Sequence, residues 1–306
     1  MGMTSCTSLR FRSARQMAGR FVVLVALAAA PIVSGAQSFD DLIARGRAQL
    51  DSNKADDAVK SFEKAVKAND KNADAHLWLA RALGTVAEKA NVLRQPFLAK
   101  RTKSEFEKTV DLDPNSVGGH EGLLQFYLRA PGVMGGSVAK AREAAATIVR
   151  LNPYRGHIAQ ANIANHEKDL AGEEMAYRAN VAEFPDSVRA VNALANFLAN
   201  HDRAEESFAP VEAFLQRKPD DRLALWLFGR TAAVTGKQLD RGEQSLKSAM
   251  AMPDTPQLRI SPEAFHLRLG DIAAKRGDKL KARAEYQAAL KINPKFEQAK
   301  KALAAL

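Results

Sequence analysis

The stretch from Ser261 to Pro294, SPEAFHLRLGDIAAKRGDKLKARAEYQAALKINP, decides the fold. Ser261 occupies an N-cap position and Pro262 the first helical position, where a missing N–H does no harm. Phe265, Leu269, Ile272 and Ala273 then recur at the three-and-four spacing of a buried helix face. Gly277-Asp278 breaks the helix and permits a sharp turn. A second helix follows, with Leu280, Ala284, Ala288 and Ile292 on one stripe and Ala282, Tyr286 and Ala289 on another. Pro294 ends it, because proline cannot continue the hydrogen-bond ladder. The unit is a helical hairpin.

Gly270, Ala273, Ala282, Tyr286, Ala289 and Pro294 stand in the spacing of a tetratricopeptide repeat, and this hairpin resembles one member of such an array. The resemblance implies that Gly270 and Ala282 lie where the two helices cross, with Tyr286 filling the space they leave. His266 stands where the family's tryptophan is usual. An independent match lies at the other end of the chain. Gly46, Ala58, Phe62 and Ala65 repeat the spacing of Gly270, Ala282, Tyr286 and Ala289.

Between these two, the pattern divides the chain into hairpins at about 39–70, 73–114, 117–153, 154–185, 186–219, 220–253 and 261–294. Pro185, Pro219 and Pro253 follow one another at the family's repeat length. The second hairpin carries an insertion around Ala87 to Phe97, read as one extra turn on each helix with a loop near Gln95-Pro96. In the third, Pro131, Gly132, Gly135, Gly136 and Ser137 form an unusual connection into a helix over 138–151, with Ser137 as its N-cap. In the sixth, the second helix aligns only after a one-residue shift. Residues 295–306 present Phe296, Ala299, Leu303 and Leu306 as a capping helix. The expected architecture is all-α: a right-handed α-solenoid of about seven tetratricopeptide-like hairpins, closed by that cap.

Ahead of it, residues 1–36 have the pattern of a secretory signal peptide. Arg10, Arg12, Arg15 and Arg20 precede an apolar run from Phe21 to Val33, and Ser34-Gly35-Ala36 supplies the small residues before a cleavage site at Gln37. The run is shorter than the roughly 20 residues that span a bilayer. An uncleaved N-terminal anchor is the alternative. Cys6, the only cysteine, precedes the run, so a lipoprotein linkage is not expected. Removing the four arginines from the formal charge of +10 leaves a basic +6. A periplasmic or secreted location follows, with no integral membrane insertion after cleavage.

Three sets of residues invite function. The glycines of the 131–137 loop can turn backbone N–H groups inward toward an anion, or simply serve a long turn. Loops of this kind in adjacent hairpins should also meet the Ala87–Phe97 insertion on one edge. The resemblance implies that first helices line a concave groove. It places Arg47, Arg81, Gln125, Asn196, Arg230 and Asp271 at one height, with Leu77, Glu121, Asn192, Trp226 and Leu267 one turn earlier. Arginines grip carboxylates and Trp226 offers an apolar anchor, which suits a protein or extended peptide partner; an ordinary solvated helix face has the same composition. The lysine-and-asparagine clamp of chaperone-binding members is not recognisable, since Ile43 stands at its first lysine. Third, His76, His120, His157 and His266 share a register, but single imidazoles about 10 Å apart do not converge on one metal. They read as packing against the neighbouring hairpin.

Catalytic signatures are lacking: there is no Gly-x-Ser-x-Gly elbow, no His-Glu-x-x-His helix and no dinucleotide fingerprint. No cofactor, metal or nucleic acid is expected. The sequence predicts a non-catalytic scaffold or adaptor. A module for an anionic small ligand or polymer, using the glycine loop and the arginines, is the alternative.

Overall fold

A computed structural model of the protein describes residues 38–254 and 259–306. The signal-peptide expectation falls on residues outside these. From Phe39 to Leu306 the chain is a succession of antiparallel helix pairs. They are α1 (Phe39–Asp51) with α2 (Ala55–Ala68), α3 (Ala73–Lys89) with α4 (Gln95–Leu112), and α5 (Val117–Arg129) with α6 (Val138–Leu151). Then come α7 (Pro153–Glu167) with α8 (Leu170–Glu183), α9 (Val188–Asn200) with α10 (Phe208–Arg217), α11 (Arg222–Thr235) with α12 (Leu239–Ala251), and α13 (Pro262–Lys275) with α14 (Lys279–Ile292). Helix α15 (Glu297–Ala304) ends the array. Among the described residues there is no strand. First helices of adjacent pairs also pack on one another, as α1 on α3, α3 on α5, and α11 on α13. The protein is an all-α helical-repeat solenoid.

The crossings explain why glycine and alanine recur. A Cβ added at Gly46 would lie 2.5 Å from the Phe62 ring, closer than any real contact, so the ring sits on the bare backbone of α1. At Gly270 a Cβ would collide in the same way with Tyr286. Ala58, Ala65, Ala282 and Ala289 are fully buried, so a larger side chain there would push the paired helices apart. Phe62 is itself fully buried, which stabilises the first hairpin by about 1.5–3 kcal/mol relative to leaving it in water. At the far end Ala299 is buried, and Phe296, Leu303 and Leu306 pack with it onto α13 and α14.

Several local expectations are corrected. Gln95 and Pro96 open α4 instead of forming the loop, because proline is tolerated in a first helical turn; the loop is residues 90–94. The extra turns are present, α3 and α4 having 17 and 18 residues against 13 and 14 in the first pair. Pro153 does not end the third hairpin but begins α7. Asn152 is both the last cap of α6 and the N-cap of α7, its side chain accepting the Arg155 N–H at 3.0 Å. Ser261 stands at the N-cap of α13 without a side-chain capping bond. On α14 only the Ala282–Tyr286–Ala289 stripe is buried; Leu280 is 83% exposed and Ile292 48%. In the sixth pair, left-handed Gly236 (φ +76°) and Gln238 (φ +50°) take up the shifted residue.

Candidate binding cleft

The 131–137 loop and the second hairpin's insertion lie side by side. Together with α3, α4 and α5 they line a cleft of about 730 Å³. Its walls include Ala80, Gly84 and Ala87 of α3, Pro96, Ala99 and Phe106 of α4, and Gly122, Phe126, Ala130, Pro131 and Met134. Glycine makes the space: at Gly84 an added Cβ would meet only Thr102 Cγ2, at 3.7 Å. Arg129 Nη1 donates to Glu88 Oε1 at 2.9 Å across the loop end. The loops and the first turn of α4 around it show apolar side chains to water, Val92 80%, Leu93 82%, Phe97 77% and Val133 98% exposed. Exposed apolar groups gathered on two adjoining loops mark an interaction surface more than scattered ones would.

Inside the loop the backbone is closed on itself. Gly132 to Met134 form a 3-10 turn, and Gly135 adopts φ +93°. The N–H groups of Met134 and Gly136 donate to Pro131 O at 2.8 and 3.1 Å, that of Gly135 to Gly132 O at 2.9 Å, and that of Ser137 to Tyr127 O at 2.9 Å. Gly136 is required because a Cβ there would overlap the Ala130 carbonyl. Ser137 caps α6 through Lys140 N at 3.3 Å. These amides are therefore occupied and do not form an anion cradle; the loop instead contributes an apolar wall.

At the other end of the cleft stands Arg81. Its guanidinium lies 4.8 Å from the centre of the Trp78 ring, and the exposed Arg47 of α1 lies 4.8 Å from the same ring. Such stacking holds both cations in place without neutralising them. Burial pulls the Arg81 guanidinium below its ordinary value, while Glu121 nearby acts the other way. Glu121 itself is gripped by both Arg155 Nε and Nη2, which raises Arg155 through that hydrogen bonding. Among the described residues neither Arg47 nor Arg81 forms an ion pair. Gln125 lines the same cleft.

Farther along, Arg230 Nη1 donates to Asn196 Oδ1 at 2.7 Å, and Asn196 Nδ2 to Asn192 Oδ1 at 3.3 Å. Burial, with Arg268 close by, lowers Arg230. Asp271 accepts from Tyr286 Oη at 3.0 Å and from Arg268 at 2.8 Å, so it belongs to the hairpin's own scaffold. Three groove positions are corrected. Leu77 and Leu267 are buried, and Trp226 is half-buried with its ring 4.9 Å from Phe265, edge to face, as part of the core between adjacent hairpins. The tryptophan that Arg47 and Arg81 both contact is Trp78. Its signal in the sequence is Arg81 three residues on, at the height of Arg47 in the preceding repeat.

Three histidines tie a first helix to its own second helix, and His76 Nε2 also meets Asp70 O at 2.9 Å, at the end of the preceding hairpin as expected. His76 Nδ1 meets Glu105 Oε2 at 2.6 Å, His157 Nε2 meets Glu183 Oε2 at 2.8 Å, and His266 Nδ1 meets Glu285 Oε2 at 2.7 Å, each joining a first helix to its second. His120 Nε2 meets Pro114 O at 2.9 Å. No cluster of three metal-ligating residues occurs among the described residues, and no described helix is long and apolar enough to cross a membrane.

An all-α array of crossed pairs defines a helical-repeat protein. Two profiles described as tetratricopeptide repeat match residues 43–85 and 264–296, over the two hairpins built on Gly46 and Gly270. These two hairpins are tetratricopeptide repeats. Among solved structures, yeast Tom70 superposes with a TM-score of 0.57 at 13% identity, covering 89% of this chain and 57% of that one. A tetratricopeptide repeat protein from Parabacteroides merdae gives 0.47 at 16% identity, covering 88% and 98%. PilF of Pseudomonas aeruginosa gives 0.47 at 13%, covering 76% and 97%. At such identities the likeness concerns the fold. No curated protein matches the sequence significantly. Tetratricopeptide repeats are in general a protein-interaction architecture.

Proposed function

We propose that the chain is an exported scaffold that holds a protein partner, as an extended segment, along its first helices, without catalytic turnover. The observation that carries this reading is the arrangement of Arg47 and Arg81 on Trp78. Two immobilised guanidiniums with no carboxylate of their own offer charge-assisted hydrogen bonds to an acidic segment at low entropic cost. The adjoining loops and the first turn of α4, with Val92, Leu93, Phe97 and Val133 exposed, extend the contact surface. Gln125, Asn196 and Arg230 continue the polar row. Export to the cell envelope rests on the composition of residues 1–36. The alternative ligand, a small anion or anionic polymer, retains the arginines but loses the loop amides.

Affinity capture from an envelope extract tests the reading, using wild type and an Arg47→Gln/Arg81→Gln variant. One protein held by the wild type at low and high salt, and released by the variant, is the expected result. Capture unchanged by the variant contradicts it. Binding that vanishes as soon as salt screens the arginines points to the alternative.

A further inference from the structure

We propose that the cleft between α3, α4 and α5 binds a single-chain anionic amphiphile, its alkyl chain lying between Gly118 and Pro131 and its carboxylate on Arg81. This shares Arg81 with the protein-scaffold reading, and Gly84→Leu, which fills the slot without changing Arg47 or Arg81, separates the two.

Shape comes first. The lining runs from Ala80 to Glu88 on α3 and from Gly118 to Arg129 on α5. At 1.5 Å per residue these are walls about 12 and about 16 Å long, so the cleft is a slot for something linear. A volume of about 730 Å³ falls within the range of small-molecule sites.

The walls then select the chain. They are built largely of Ala99, Phe106, Phe126, Pro131 and Met134; of the polar side chains between them, Glu88 is held by Arg129, Glu121 by Arg155 and Gln95 by Ala90 O, which leaves Gln125, and the hydroxyls are committed. Thr102 Oγ1 donates to Leu98 O at 2.8 Å and Thr85 Oγ1 to Arg81 O at 3.1 Å. An extended peptide drawn into this slot would bring a donor and an acceptor with every residue, and burying each unpaired costs about 1–3 kcal/mol. An alkyl chain brings none.

The head group is set by Arg81. It is half-buried, fixed on Trp78, and its Nη2 lies over Gly118, 2.9 Å from where a Cβ would stand. The nearest acid, Glu121, is occupied by Arg155. A carboxylate at the slot's end gains a bidentate, charge-assisted partner. At the opposite end the exposed Val92 lines the cleft beside the chain's terminus.

Dodecanoate, kept below its micelle concentration, is titrated calorimetrically into the chain beginning at Gln37. One saturable site per chain is expected. Gly84→Leu should weaken it at least about tenfold by filling the slot, whereas Gly84→Ala, the control for folding, keeps binding and does not lower the unfolding temperature. Arg81→Gln should weaken dodecanoate about tenfold yet leave dodecanol unchanged. The proposal is overturned by absence of saturable binding or by undiminished binding in a folded Gly84→Leu chain. Equal affinity for dodecyltrimethylammonium overturns it too. So does binding of an acidic apolar peptide, or of anionic vesicles, where monomeric dodecanoate fails.

Discussion

Two glycines on equivalent first helices have opposite duties. Gly46 lies under the Phe62 ring, so Gly46→Val forces that ring away and should destabilise the protein by about 1–3 kcal/mol in urea unfolding. Gly84 faces open space in mid-helix, so Gly84→Ala should stabilise it by up to about 1 kcal/mol. Equal effects at the two sites would refute the assignment of Gly46 to a crossing and Gly84 to a cleft. Tyr286→Phe removes the hydroxyl that Asp271 accepts and should cost about 1 kcal/mol in the same assay. Burial, reinforced by Asp271, keeps that phenol neutral well above its ordinary range. The crossing glycines were legible in the sequence because a ring stands at a fixed distance along the chain from each of them. Gly84 carried no such signal. Its role depends on α4 and α5 leaving a gap, which is a property of three helices together.

Between elements, buried alanines are supplemented by carboxylates shared among several cations. Glu174 is held at about 2 by Arg203 first and then Arg178, and Glu243 at about 2 by Lys247, Lys281 and Arg276. Arg203 joins α8 to the segment before α10, while Lys281 and Arg276 join α12 to the last hairpin. Both acids lie below the ordinary 4.5, so their stabilisation is complete above that pH and is lost as pH falls toward 2. Glu174→Gln/Glu243→Gln should therefore flatten the acid limb of a stability-against-pH curve. An unaltered acid limb would show that neither acid is held as described. Helix existence was legible from the apolar period. Helix ends at Gln95 and Pro153 were not, since proline marks a stop and a start equally well. The His76–Glu105 pairing was also hidden, because a register of histidines reveals nothing about the helix packed against it.

For the whole molecule, repetition is what the sequence exposes most fully. Unit spacing identifies a solenoid, whereas the offset of one hairpin from the next shapes the cleft and has no counterpart in a linear pattern. Hence the shared height of Arg47 and Arg81 was readable, Trp78 between them was not, and Trp226 packs against Phe265. If residues 1–36 are a cleaved leader, N-terminal sequencing of chain recovered from the producing cell's envelope should begin at Gln37; a chain beginning at Met1 means retention of the segment. The central claim is that a partner engages the concave side at the second and third hairpins. Hydrogen exchange of the chain, free and with its captured partner, measures this directly. Slower exchange is expected in α3, the 90–97 segment, α5 and the 130–137 loop. Protection confined to α8, α10, α12 and α14, with α3 and α5 unchanged, would contradict the account.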